Sequence, residues 1–199
     1  MKQFTLFAAI LLSAASFAAA QAQSAATAAA AGDDANPFAK GTNAFSLSGG
    51  YTTPIRFSQA HTYDFVASVG HYFWNNHALS LEAQGYWADQ PDGHDDAIIG
   101  GIGVLGRWHF LRFDKWSIFL DGGGGVTYAD NAFPTYPYTG THFNFTGKVG
   151  LGATYEIEDH VFLTGGARYF HLSNGQIHDR DQNPTYDSIQ IWGGLMWTW

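Results

Sequence analysis

The chain has no cysteine and little charge, with Asp, Glu, Lys and Arg together making up 13% of its 199 residues. The first absence excludes disulfides, thiol catalysis and cysteine-ligated metal. The second is a poor match for the surface of a soluble domain, where about a quarter of all residues are charged. Positive charge is the scarcer sign, nine Lys and Arg against seventeen Asp and Glu, which gives a formal net charge of −8. Nucleic acid, which demands clustered Lys and Arg, is thereby excluded as a partner. A run of about 20 apolar residues is also missing, so any membrane span must be built from strands rather than from a helix.

What the chain does contain is aromatic and small. Phe, Trp and Tyr supply 17% of the residues and glycine supplies 24 positions, a mixture suited to a wall that faces lipid. At the start, Lys2 precedes an apolar stretch from Phe4 to Leu12, and small residues follow. Residues 1–22 therefore read as a signal peptide, with Ala18-Ala19-Ala20 or Ala20-Gln21-Ala22 suited to a signal peptidase. Residues 23–43 are Ala-rich with no period of 2, and the expectation is a flexible periplasmic lead-in. Residues 44–199 are expected to form one domain.

From Ala44 onward the hydrophobic pattern alternates in eight stretches: Ala44 to Thr52, Thr62 to Phe73, Ala78 to Trp87, Ala97 to Phe110, Trp116 to Tyr128, His142 to Glu156, Val161 to Ser173 and Thr185 to Trp199. Each is long enough for a tilted transmembrane strand of about 9–11 residues. The links at Trp74 to His77, Leu111 to Lys115 and Ile157 to His160 are short, whereas those around Pro54, Pro91, Pro134 and Pro184 are longer. Short periplasmic turns and longer outer loops are the asymmetry of an outer-membrane barrel, and the terminal Trp199 resembles the closing aromatic of such proteins. The expected fold is all-β, an eight-stranded antiparallel transmembrane β-barrel in the bacterial outer membrane.

Successive side chains of a strand point to opposite sides, so parity assigns the faces. Phe143, Phe145, Val149, Leu151 and Tyr155 share one side of the sixth stretch, and Asn144, Thr146, Lys148, Thr154 and Glu156 the other. The third and fifth stretches repeat the pattern. Polar inside and apolar outside is the inversion a membrane barrel requires. Asp64, Glu82, Arg107, Asp121, Lys148, Glu156 and Arg168 all fall inside, where paired charges fill a narrow interior and leave no pore.

One strand breaks the apolar rule of the outer wall. Val161, Leu163, Gly165, Ala167 and Tyr169 face lipid, and the same parity then delivers His171 and Ser173. Two positions apart on a strand, an imidazole and a hydroxyl are within reach of each other. On the returning strand, the outward series Trp199, Trp197, Leu195, Ile191 and Ile189 continues to Asp187. A carboxylate, an imidazole and a hydroxyl on one face are the parts of nucleophilic acyl transfer. His171 would take the Ser173 proton while Asp187 orients the ring. The side-chain amide of Asn174 and the backbone amide of Gly175 are the candidate oxyanion donors.

Arg168-Tyr169-Phe170-His171-Leu172-Ser173-Asn174, followed by Asn183-Pro184 and a final strand, resembles the active-site region of the lipid A 3-O-deacylase family, PagL. That resemblance implies an eight-stranded outer-membrane barrel with a Ser-His-acid site on its exterior, hydrolysing the ester-linked acyl chain at position 3 of lipid A. Lipid A of lipopolysaccharide and the surrounding outer-membrane lipids are the implied partners, with no cofactor and no metal. The family's acid is a glutamate where this chain has Asp187, and Asn174 is followed by Gly175-Gln176 rather than by a small residue and then glycine.

Other polar groups carry plainer readings. His94-Asp95-Asp96 and His178-Asp179-Arg180-Asp181 lack metal-ligand spacing and read as solvated loop charge. Gly122 to Gly125 lies inside a strand with no Lys-Ser or Lys-Thr after it, so it signals close packing rather than a phosphate loop. His71, His77, His109, His142 and His160 carry no assigned function. The plain reading of His171 and Ser173 is a polar pair at headgroup level, and that of Asp187 a solvated carboxylate. On those readings the chain is a non-enzymatic barrel with a structural or adhesive role; a palmitoyl-transferring barrel is a third alternative. The net charge of −8 sits awkwardly with an anionic lipopolysaccharide, which would have to be held by local basic groups, bridging cations or acyl-chain contacts.

Overall fold

A computed structural model describes residues 36–199 apart from 57, 92, 136–138, 178–181 and 183–184. The signal peptide, most of the lead-in and the His178-Asp179-Arg180-Asp181 run lie outside the described residues. Eight strands follow in order: β1 (Asn43–Pro54), β2 (His61–Trp74), β3 (His77–Asp89), β4 (Ala97–Arg112), β5 (Trp116–Phe133), β6 (Thr141–Glu158), β7 (Val161–Ser173) and β8 (Tyr186–Thr198). Each pairs antiparallel with its neighbours in sequence, and β1 closes on β8 to complete the barrel.

The faces divide as the alternation predicts. Leu81, Ile102, Val149, Leu151, Leu163 and Ile191 are exposed on the outer wall, while Asp64, Glu82, Asp121, Lys148 and Arg168 are buried inside. Arg168 donates from both Nε and Nη2 to the Asp121 carboxylate, Arg107 reaches the same carboxylate at 3.3 Å, and Lys148 pairs with Glu82. Buried charge survives in this way only when it is paired and hydrogen-bonded. Glu156 is the exception, half-buried at the periplasmic end, where it accepts the backbone N–H of His160.

The interior is not polar throughout. An apolar cluster that includes Tyr86, Ile99, Phe133, Phe170, Leu172 and Tyr186 fills the outer end. A second, of Phe38, Ala44, Tyr72, Phe162 and Met196, fills the periplasmic end. The polar layer lies between them, beside a cavity of about 20 Å³, room for roughly one water. Among the described residues such an interior leaves no channel.

Within the segment read as a flexible lead-in, residues 36–43 are described, and there Phe38 is packed into the barrel. It is only 2% exposed, stacks on the His109 ring with centroids 3.8 Å apart, and packs against Phe162. The backbone around it is tied down as well, with Gly41 donating to Tyr72 O and Asn76 donating to Phe38 O. A single aromatic that plugs a barrel mouth has no periodic neighbours, so alternation does not register it. His109 is the other half of the plug, bonded to Ser117 Oγ at 2.7 Å and to Tyr72 Oη at 3.0 Å.

β5 runs past Tyr128 to Phe133, five residues beyond the alternating stretch. There Asp130 Oδ1 accepts the Ile98 N–H and Asn131 Nδ2 donates to Asp96 O, so side chains carry on the link to β4 after the strand pairing ends at Ile99 and Ala129. The glycine run in the same strand reflects close packing: a Cβ on Gly123 would lie 2.1 Å from Val104 O, and one on Gly125 2.3 Å from Ile102 O.

Candidate active site

β7 places Tyr169, His171 and Ser173 on the outer side at a spacing of two, and β8 brings Asp187 directly opposite His171 in the strand register. The carboxylate accepts only, so His171 Nδ1–H donates to Asp187 Oδ1 at 2.7 Å. That bond fixes the tautomer and leaves Nε2 free to accept from Ser173 Oγ–H, 3.0 Å away. Ser173, His171 and Asp187, named from parity alone, are thus brought together in one chain of hydrogen bonds.

Asp187 is far from being a solvated loop carboxylate. It is 3% exposed although its parity is outward, because neighbouring side chains cover it. The Tyr169 hydroxyl donates to Oδ1, and Arg56 Nη1 lies 3.6 Å from Oδ2. Neither neighbour was singled out from the sequence. Tyr169 was legible as an outward residue two positions before His171, but an aromatic there also reads as ordinary lipid-facing wall. Arg56 lies just past the end of β1, where alternation has stopped; the backbone bond from Ile55 N to Asp187 O brings it to the site.

The two candidate oxyanion donors separate. The Asn174 side chain is fully buried: Nδ2 donates to Gln182 O at 3.1 Å, and Oδ1 accepts the Gln176 N–H at 2.8 Å. These bonds tie it into the loop after β7. Leu172 and Asn174, on either side of Ser173 in sequence, are both buried where Ser173 is half-exposed. Gly175 remains beside the site in a left-handed turn at φ +64°, and a Cβ there would come within 3.1 Å of the Phe145 ring. Phe145 in turn pairs with Ser173 across β6 and β7, while Gly147 pairs with His171 and has nothing within 4 Å of where its Cβ would stand. An open step flanked by Phe145 and Val149 therefore lies beside the imidazole.

Four further histidines have local partners. His71 bonds Asn43 Oδ1, His77 bonds Asn75 O, His142 bonds Ala129 O and His160 bonds Thr198 Oγ1. Among the described residues no group of three or more His, Asp or Glu is arranged to hold a metal ion.

Comparison with known proteins agrees with this picture. The crystal structure of the outer-membrane enzyme PagL superposes with a TM-score of 0.53 at 18% identity, covering 78% of this chain and 97% of that one. Neisserial surface protein A gives 0.58 at 14% identity over 78% and 95% of the two chains. The outer-membrane protein OprG from Pseudomonas aeruginosa gives 0.54 at 11% over 83% and 99%. At such identities the likeness concerns the fold alone. No curated protein matches the chain in sequence. The profile of the lipid A 3-O-deacylase (PagL) family, however, matches residues 40–195, a span that takes in β1 to β7, most of β8 and the whole polar cluster on the outer wall. The chain belongs to the lipid A 3-O-deacylase (PagL) family of bacterial outer-membrane β-barrels.

Proposed function

We propose that the barrel is a serine esterase that removes the 3-O-linked acyl chain of lipid A in the outer leaflet. The observation that carries this reading is the hydrogen-bonded series Asp187, His171, Ser173 on the lipid-facing side of the wall. Polar groups are costly there and need a reason, whereas inside the barrel they are ordinary.

The geometry supports a two-step reaction. Ser173 Oγ attacks the ester carbonyl carbon as its proton passes to His171 Nε2. Asp187 stabilises the imidazolium that forms and holds its orientation. The backbone N–H of Gly175 is the donor proposed for the tetrahedral oxyanion. As the intermediate collapses, the carbon–oxygen bond to the sugar breaks, and His171 returns the proton to the departing hydroxyl oxygen. The acyl group is then esterified to Ser173. Water attacks that ester with Nε2 again taking a proton, and the free fatty acid leaves with Ser173 restored.

Access from the membrane plane suits a substrate that never leaves it. The open step at Gly147, with Phe145 beside it, gives an acyl chain an apolar approach to Ser173 from the lipid side. Arg56, whose side chain is 65% exposed next to Asp187, supplies a local cation for an anionic headgroup on a chain that is acidic as a whole.

Mass spectrometry of lipid A from cells producing the protein tests the reading. Lipid A lighter by one acyl chain, and unchanged in cells producing Ser173→Ala, is the expected result. Unchanged lipid A in both would favour a non-enzymatic barrel, and lipid A heavier by a palmitoyl group would favour acyl transfer.

A further inference from the structure

We propose that Tyr169 is a positioning residue of this site, a hydroxyl that holds the short Asp187 carboxylate in register with His171. This rests on the deacylase reading above and adds a fourth member to the series.

Three facts motivate it. Tyr169 and His171 both donate to the same oxygen of Asp187, Oδ1. Among the described residues the second oxygen has the more distant Arg56 at 3.6 Å, on a side chain that is 65% exposed. Tyr169 is itself an outward residue, 39% exposed, whose ring stands where the outer wall otherwise carries apolar side chains. The resemblance to the family supplies a reason for such a device. A glutamate has one methylene more with which to reach an imidazole. Asp187 instead meets His171 by direct cross-strand pairing, and its carboxylate turns about a single short stem. Near lipid, water is a poor source of the donors a carboxylate needs. An unsatisfied carboxylate would rotate toward the loop or toward Arg56, and the imidazole would lose its tautomer. The phenol supplies a neutral donor that keeps Oδ1 facing Nδ1, and it does so without touching the reacting atoms.

The test removes one oxygen atom. Tyr169→Phe keeps the ring in the wall, and its folding is checked by heat-modifiable gel mobility. Fatty acid release from purified lipid A in detergent is measured alongside the rate at which a fluorophosphonate probe labels Ser173. We expect kcat and labelling rate to fall about 10- to 100-fold, the usual effect of losing one charge-assisted hydrogen bond, with KM within about twofold. Tyr128→Phe, on another lipid-facing tyrosine at 64% exposure, should leave both rates unchanged. In an Asp187→Asn background the Tyr169→Phe change should add almost nothing, because Tyr169 acts through Asp187. A Tyr169→Phe protein with wild-type kcat and labelling overturns the inference, as does a loss of equal size in both backgrounds. A wild-type barrel that releases no fatty acid and is not labelled overturns the deacylase reading itself.

Discussion

Arg168 and His171 stand three residues apart on β7, and each ends in a hydrogen-bonded cluster with an aspartate on another strand. Arg168 points inward, where Asp121 accepts three of its hydrogen bonds and Arg107 shares the carboxylate. His171 points outward, where Asp187 and Ser173 bond its two ring nitrogens. The inner cluster is what a barrel of this size needs to fill its middle without a pore. The outer one fills nothing, and its imidazole is left 36% exposed. A polar cluster on the inner face of a membrane barrel is therefore a packing solution, and the same chemistry on the outer face is a candidate site.

Substitutions on the two sides should break different things. Ser173→Ala and His171→Ala are expected to fold like the parent and lose about 10⁴-fold or more in turnover, since the members of such a series act as a unit. Initial rates of fatty acid release would read this out, with heat-modifiable mobility as the folding control. Near-normal release from either variant would dissolve the distinction between the two clusters.

Asp121→Leu should do the reverse. It strands two arginines in the interior, and breaking a buried pair in this way costs about 3–5 kcal/mol. The urea midpoint for unfolding from detergent or bilayer should fall accordingly, while whatever fraction remains folded keeps its turnover. Loss of activity without loss of stability would mean that the inner network serves the outer site.

A smaller effect sharpens the loop that joins the two faces. Gln176 adopts φ +63°, a left-handed conformation that costs a side-chain-bearing residue about 1–2 kcal/mol and glycine almost nothing. Gln176→Gly should raise the unfolding midpoint slightly or leave it unmoved, with activity retained. A clear destabilisation would show that the Gln176 side chain is itself part of the loop's support.

Much of this was legible from alternation. Parity separated Arg168 from His171 and carried the outward series of β8 up to Asp187, because a two-residue period is all that a lipid–water boundary on each side of a thin wall imposes. The final-strand register followed from the same count, and His171 does pair with Asp187. What alternation could not reach is whatever has no period. Phe38 enters the barrel mouth from outside any strand, Arg56 comes to Asp187 from a loop, and β5 continues after its apolar pattern has stopped. Asn174, named for its place next to Ser173, is buried, as alternation carried one residue further expects. Tyr169 was on the correct face but was indistinguishable there from the aromatic wall around it.

The central claim, that the outer cluster hydrolyses an acyl ester, is tested most directly by incubating the purified barrel with lipid A in ¹⁸O-labelled water and weighing both products. The account predicts a free fatty acid carrying one ¹⁸O atom and a lipid A lighter by that acyl chain, both absent with Ser173→Ala. Free fatty acid released equally by Ser173→Ala, or no release by the folded wild-type barrel, would contradict it.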